Sequence, residues 1–313
     1  MNNFNYTLFE TQQLSHCTFC PRECGVNRLS RSLGYCKSDA GFNISSICVH
    51  KGEEPVISGK KGICNVFFPH CNLQCIYCQN HDISRNSGVI YNEQLSLDDV
   101  IRRICETLEQ TENIVGFVSP SHYIPQMLAI IGGLHKAGIR PVIVYNSNGY
   151  DKATILRMLE GMIDVYLPDF KYMDSALAFE YSQAQDYPEV AAAAIKEMYH
   201  QKGSTLIVND DGLAESGIIV RHLVLPGAAE QSIEVLNFIA EEISPKLHLS
   251  IMAQYYPTAL VTSHPRLNRT ITIAEYQKVV DAFYKLGFSR GWVQDLVSNE
   301  SYRPNFCSRQ PFE

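Results

Sequence analysis

The stretch "ICNVFFPHCNLQCIYCQN", Ile63–Asn80, joins an apolar, β-branched run to a loop that carries Cys71, Cys75 and Cys78 within eight residues. The run "ICNVFF" (63–68) has the length and composition of a buried strand, which places the cysteine loop at a strand C-terminus. The i, i+4, i+7 spacing would also line three thiols along one helical stripe as core residues. Pro69 before them and the polar Asn72, Gln74, Gln79 and Asn80 among them make that a poor core helix. A tetrahedral zinc site would need a fourth ligand, from His70 or His81. Three thiolates at this spacing suit a [4Fe–4S] cluster, whose fourth iron is then left without a protein ligand.

Five more runs of the same kind follow: "IVGFVS" (114–119), "PVIVYN" (141–146), "IDVYLPD" (163–169), "IIVRHLVL" (218–225) and "LHLSIMAQ" (247–254). Amphipathic stretches lie between them. "SLDDVIRRICETLEQ" is opened by Ser96 as an N-cap with Asp99 three residues on, and "HYIPQMLAIIGGLHKAG" is closed by Gly138. "VAAAAIKEM" (190–198) is good helix-forming sequence. Strand and helix alternating six times imply parallel strands with right-handed crossovers, in a doubly wound sheet or a barrel, complete or partial. In each of these architectures the chemistry sits at the C-terminal ends of the strands.

Composition narrows the function classes. A chain of 313 residues with 45% hydrophobic residues can bury a large core. Its 26 Lys and Arg against 33 Asp and Glu give a net charge of −7, which disfavours a nucleic-acid partner. "MNNFNYTLFETQQ" has no basic region followed by an apolar run, and no stretch approaches the roughly 18–20 apolar residues that span a bilayer, so a cytoplasmic protein without a membrane partner is expected. Eleven cysteines, an odd number, then point to metal or redox chemistry rather than a disulfide framework.

A second cysteine group reads "CTFCPRECGVNRLSRSLGYC", with Cys17, Cys20, Cys24 and Cys36. Four thiolates can close a zinc site or hold a fully ligated Fe–S cluster, and spacing does not choose between them. A structural role, holding a small region that cannot build its own core, is favoured over electron relay. Arg22, Arg28, Arg31 and Lys37 make this block basic, a feature that suits RNA contact or, as the preferred reading, compensation of thiolate charge. Cys48 and Cys64 are competing ligands; Cys105 in a helix pattern and Cys307 in the tail read as bystanders.

The CxxxCxxC loop with Tyr77 just before its last cysteine resembles the signature of radical S-adenosylmethionine (SAM) enzymes. More closely, "FFPHCNLQCIYCQN" (67–80) resembles the activating enzymes of pyruvate formate-lyase, and the wider chain is similar to their PflX relatives. The resemblance implies a partial (β/α)6 TIM-type barrel over residues 61–290, after a small cysteine-rich metal-binding segment (1–60) and before a C-terminal extension (291–313). It further implies a [4Fe–4S] cluster on Cys71, Cys75 and Cys78, with SAM bound through its amino and carboxylate groups at the open iron. An electron from a flavodoxin- or ferredoxin-type donor would cleave SAM to a 5′-deoxyadenosyl radical. That radical would take hydrogen from a protein partner, as in activation of a glycyl radical enzyme. Modification of a peptide, an RNA or a small molecule is the enzymatic alternative; a zinc-binding interaction module is the non-enzymatic one.

Residue by residue, the resemblance puts Tyr77 near the adenine. The activating enzymes carry Gly-Gly-Glu after the second strand, where this chain has "VSPSHYIPQ", with Pro120, Ser121 and His122 in place of that motif. Contact with the amino group would then use Ser119, Ser121, a backbone carbonyl or a neutral His122, which is equally placed to cap the next helix. "YNSNGY" is similar to their Asp-Thr-Asn-Gly stretch, with Asn146 in place of the acid and Asn148 and Gly149 matching. "LPDFKY" is similar to their Asp-x-Lys pattern and puts Asp169 and Lys171 near the cofactor or a bound monovalent cation, the cation being disfavoured by Asn146 in place of a carboxylate. Two apart on an extended strand end, these side chains point the same way and can pair. Arg221 in "VRHLVLPG" matches an Arg that would fork onto the cofactor carboxylate or ribose. Gln254 and Tyr255, at the end of the sixth strand, are candidates for the pocket lining.

Overall fold

The computed structural model describes residues 11–296, 303–308 and 310–312. Its strands are β1 (Phe42–Ile44), β2 (Ser46–His50), β3 (Ile63–Phe67), β4 (Glu93–Leu95), β5 (Ile114–Val118), β6 (Val142–Ser147), β7 (Val165–Pro168), β8 (Ile207–Val208), β9 (Ala214–Leu223), β10 (His248–Met252) and β11 (Gly291–Val293). The helices are α1 (Pro55–Ser58), α2 (His81–Ser84), α3 (Leu97–Leu108), α4 (Ile124–Lys136), α5 (Ala153–Met158), α6 (Ser175–Ser182), α7 (Tyr187–Lys202), α8 (Ala229–Glu242) and α9 (Ile273–Lys285).

One sheet runs in the order β11-β10-β9-β7-β6-β5-β3-β2, with β8 attached to β9, and β1 and β4 form a separate antiparallel ribbon. From β3 to β11 every neighbouring pair on this path is parallel; β2 joins β3 antiparallel. The six apolar runs read from sequence are β3, β5, β6, β7, β9 and β10, adjacent in chain order. Such runs carry apolar residues at nearly every position because a parallel sheet is covered on both faces; all five residues of β3 are buried. Among the described residues no ladder joins β2 to β11, so the fold is α/β with an open, mostly parallel sheet rather than a closed barrel. β2 lies within residues 1–60 and β11 within 291–313.

The helices start and stop where local chemistry dictates. Ser96 accepts the Asp99 backbone N–H at 3.1 Å and caps α3. Gly138, at φ +84°, closes the turn after α4, a conformation that only a residue without Cβ adopts freely.

The two faces of the sheet differ. On the outer face Val66, Val115, Phe117, Ile143, Tyr166, Val220 and Ile251 pack with Ile104, Met127, Ile131, Ile195, Leu236 and Val279 from the helices. On the inner face Ile63, Ile114, Val144, Val165, Leu167 and Ile219 form a smaller cluster around Ile57 of α1. The β2–β3 connection therefore plugs the lower part of the hollow. Full burial of a side chain like Ile57 stabilises by about 1.5–3 kcal/mol. Two residues further along the same inward rows the chemistry changes: Ile63 gives way to Asn65, Val144 to Asn146, Leu167 to Asp169 and Ile219 to Arg221. Because strand side chains repeat every second residue, these four form a polar layer above an apolar floor.

Candidate active site

Above that layer, at the strand C-termini, lies a cavity of about 610 Å³ whose lining includes Cys71, Cys75, Tyr77, Cys78, Ser119, Asn146, Asn148, Asp169, Lys171 and Arg221. This is the size and place expected of a small-molecule site in an open α/β sheet.

The cysteine loop leaves β3 through His70, at φ +64°, a conformation that few non-glycine residues adopt. His70 N donates to Ile83 O at 2.6 Å and Ile76 N to Tyr181 O at 2.9 Å, which ties the loop to α2 and α6. Each thiol has its own polar neighbour. Cys71 Sγ accepts from Asn148 Nδ2 at 3.3 Å and from Leu73 N at 3.4 Å. The Ser182 hydroxyl stands 3.0 Å from Cys75 Sγ, and the Ser84 hydroxyl 3.2 Å from Cys78 Sγ. Burial pushes the Cys71 thiol up to about 12 and Cys75 to about 11, with Cys78 raised as well. Thiolates are thus disfavoured here until a cation offsets the loss of water, whereas the surrounding N–H and O–H donors suit sulfur that carries negative charge. Among the described residues no three His, Cys, Asp or Glu side chains are gathered tightly enough for one metal ion. A zinc ion holds thiolates about 2.3 Å from itself; a four-iron cube spreads them wider, and three soft donors on one loop fit it.

Tyr77 is buried beside the thiols, with its hydroxyl 2.5 Å from that of Tyr172 and its ring near Tyr181 and Tyr255. Asn148 also donates to Asn72 Oδ1 at 2.8 Å, and Asn72 Nδ2 to Tyr150 O at 2.8 Å, locking the loop onto the "YNSNGY" turn. In that turn Gly149, at φ +83°, leaves room for the Tyr187 hydroxyl, which donates to the Asn148 and Asp169 carbonyls.

Arg221 is the hub of the polar layer. Its Nε donates to Asp169 Oδ1 at 3.1 Å, one terminal nitrogen to Glu53 Oε2 at 2.9 Å and the other to Asn146 Oδ1 at 2.6 Å. Asp169 Oδ2 accepts from Lys171 Nζ at 2.6 Å, so the pair read from sequence forms in a largely buried setting. Burial raises the Asp169 carboxyl, but Lys171 and Arg221 outweigh it and hold the acid below its usual value. Burial likewise opposes the charge of Lys171 and Arg221, yet Asp169 keeps both above theirs.

Three residues named from sequence lie elsewhere. Ser121 and His122 do not line the cavity; both are buried in the turn before α4. His122 Nε2 meets Pro69 O at 3.0 Å, and burial drives its pKa down to about 3, so it is a neutral ring that braces the cysteine loop from behind. The turn places Ser119, at φ +47°, at the cavity instead. Gln254 lines the cavity, whereas Tyr255 is buried and donates to Leu267 O.

Sequence reasoning missed Glu53, Glu54 and His50. They sit in or just after edge strand β2, whose five residues carry no long apolar pattern, and the only local signal was the acidic pair in "GEEP" (52–55). Glu53 Oε1 accepts from Asn65 Nδ2 at 3.0 Å and Asn146 Nδ2 at 3.1 Å, so this N-terminal segment supplies a carboxylate to the centre of the site.

The N-terminal cysteine group packs against the same loop. Cys20 is pushed to about 12, by burial first and then by Cys36, Cys17 and Cys24 nearby. Buried Arg28 reaches Cys17 Sγ at 3.9 Å, His122 O at 2.6 Å and Asp39 O at 2.5 Å. Arg22 donates to Asn72 O at 2.9 Å and Gln183 O at 2.7 Å and lies over the Tyr35 ring. Two of the four basic residues are therefore internal ties rather than an open basic face. Cys48 and Cys64 are fully buried on the paired strands β2 and β3, Cys105 lies on α3, and Cys307 is exposed in the tail.

No family model matches the chain. The uncharacterized protein MJ0674 of Methanocaldococcus jannaschii is 28% identical over 275 residues, covering 85% of this chain and 73% of that protein. Among solved structures, SuiB of Streptococcus suis bound to S-adenosylmethionine is similar at a TM-score of 0.47 and 14% identity, over 73% of this chain and 49% of SuiB. The chain thus spans about half the length of SuiB. Native anSMEcpe with bound AdoMet gives 0.47 and 11% identity over 71% of this chain and 60% of that one. TYW1 with a lysine-pyruvate adduct bound gives 0.41 and 13% over 71% and 73%. Among the described residues no helix is long and apolar enough to cross a membrane.

Proposed function

We propose that the chain is a radical SAM enzyme. The observation that carries this reading is the set of three thiols on one loop, Cys71 buried and Cys75 and Cys78 half-buried, with a polar hydrogen-bonding group beside each sulfur and all three on the same cavity as Asn146, Asp169, Lys171 and Arg221. Cys71, Cys75 and Cys78 would hold a [4Fe–4S] cluster; when bound, it supplies the electron that cleaves SAM reductively. Tyr77 provides an apolar wall suited to an adenine. Arg221 and Lys171 orient a carboxylate, and Asn146, Asn148 and Ser119 offer hydrogen bonds to the polar parts of the cofactor. The buried position keeps bulk water from the reacting centre.

The finer reading is a hydrogen abstraction from a protein partner, in the manner of the enzymes that activate glycyl radical enzymes, with a flavodoxin- or ferredoxin-type protein as electron donor. It is supported by the likeness of residues 67–80 to those activating enzymes. The Cys17–Cys20–Cys24–Cys36 block serves a structural role, holding Arg22 against the cysteine loop. Anaerobic reconstitution tests the reading: bound iron and sulfide, a broad absorbance in the visible blue, and 5′-deoxyadenosine released on reduction are expected. Tightly bound zinc with no SAM cleavage would overturn it.

A further inference from the structure

Besides the cysteines, the cavity lining includes His50, Glu53, Glu54, Ser250, Trp292 and Phe312. Two polar atoms there lack a hydrogen-bond partner in the interior: Glu54 Oε2 and His50 Nδ1. The two residues are only 7% and 8% exposed, so water does not satisfy these atoms as it would at the surface. A stranded buried acceptor is destabilising, and stranded acceptors on a ligand-sized cavity mark where a ligand's donors belong.

His50 Nδ1 is an acceptor, and Glu54 Oε2 is one once its carboxyl, raised by burial, is ionised by a cation brought beside it. His50 Nε2 faces Glu53 Oε1 at 3.8 Å, which favours the proton on Nε2 and leaves Nδ1 as a lone pair. Burial lowers the pKa of His50 and so keeps the ring neutral. The Phe312 ring lies over the imidazole with centroids 4.0 Å apart, which helps to dry this corner. Charge points the same way. Glu53 and Asp169 are paired with Arg221 and Lys171, whereas Glu54 makes no ion pair of its own: burial raises its carboxyl, Arg221 offsets that in part, and Glu53 adds to it. A buried carboxylate in excess is costly unless a cation comes to it. A metal ion would need three converging ligands, which the described residues do not gather here. An ammonium group carries one positive charge, three donors and no acceptor, and meets both demands.

We infer that this corner is a substrate subsite that binds a primary ammonium group, with Glu54 as its charge partner and His50 Nδ1 as a second acceptor. The inference deepens the proposed function, on which it rests for the name substrate, and it makes the wall formed by Glu54 and His50 the recognition side of the cavity. The amine belongs either to a free small molecule or to a lysine side chain on a peptide.

The test is ligand binding by saturation-transfer NMR on the anaerobically reconstituted protein, using n-butylamine, a terminally blocked Gly-Lys-Gly peptide and, as the neutral isostere, n-butanol. A charge-assisted hydrogen bond predicts a preference of about tenfold for butylamine over butanol, and Glu54→Gln should bring the two to within about twofold. Binding of the peptide together with butylamine identifies a side chain on a larger partner, and binding of butylamine without the peptide identifies a small molecule. Equal binding of butylamine and butanol to the parent overturns the inference whatever the variant does, and so does an undiminished preference in Glu54→Gln. Iron and sulfide measured on the same samples separate the two failures: no cluster with a clear amine preference sinks the proposed function and leaves an amine subsite, whereas a full cluster with no preference does the reverse.

Discussion

Replacing Arg221 with Met removes a guanidinium that makes three hydrogen bonds in the polar layer while keeping much of its stem volume. The change strands Asp169 Oδ1, Glu53 Oε2 and Asn146 Oδ1 in a largely buried setting. Removing one member of a buried ion pair typically destabilises by about 3–5 kcal/mol. Here each acid keeps a second partner, Asp169 through Lys171 and Glu53 through Asn65 and Asn146, so the expected loss sits at the low end, about 3 kcal/mol. At about 2–4 °C per kcal/mol for a large domain, that is a drop in Tm of roughly 6–12 °C. Urea unfolding and calorimetry on parent and variant, both in the same cofactor state, read it directly. The pH dependence has a definite sign. The Asp169 carboxyl is held below its usual value, so its contribution is present above the unfolded pKa of about 4 and fades as pH falls through the folded value. The gap between parent and variant should therefore narrow below about pH 4. A loss under about 1 kcal/mol at pH 7 would show that Arg221 is effectively a solvated surface charge, and the account of the polar layer would fall.

Cys75→Ala should lose iron and sulfide and show no SAM cleavage, while Cys20→Ala should lower yield or Tm and keep some cleavage; full turnover by the first variant would refute the assignment of the loop. Gly149→Ala forces a Cβ against the Asp169 carbonyl and the Tyr187 hydroxyl at φ +83°, and should shift the urea midpoint by the equivalent of at least about 2 kcal/mol. Burial drives His222 down to about 4, so the unfolded chain takes up this proton first as pH falls below about 6.5. Stability should decline from there toward pH 4, and His222→Gln should flatten that slope in pH-dependent unfolding; an unchanged slope would remove His222 from the explanation.

The strand pattern was legible because a parallel sheet buried on both faces requires continuous apolar runs, and six such runs became six adjacent strands. The edges were not legible. β2 and β11 are short and contribute few core residues, so their place depends on which neighbour offers free N–H and C=O groups rather than on their own pattern. His122 shows the same limit from the other side. Its position after a strand made it a candidate ligand, but a turn of Pro120–His122 pointed the ring away from the cavity and into the packing behind Pro69.

Local sequence alone determined the three-thiol loop, because metal-ligand spacing within eight residues is a short-range property, and it determined the pairing of Asp169 with Lys171, because side chains two apart on a strand share a face. Only the tertiary structure brought Glu53 from the N-terminal edge to Arg221, 168 residues away in the chain, and left Glu54 Oε2 buried without a hydrogen-bond partner. Such contacts follow from how α1 plugs the hollow of the sheet, a packing solution that depends on the combined shape of many inward-facing side chains and is written in no single stretch of residues.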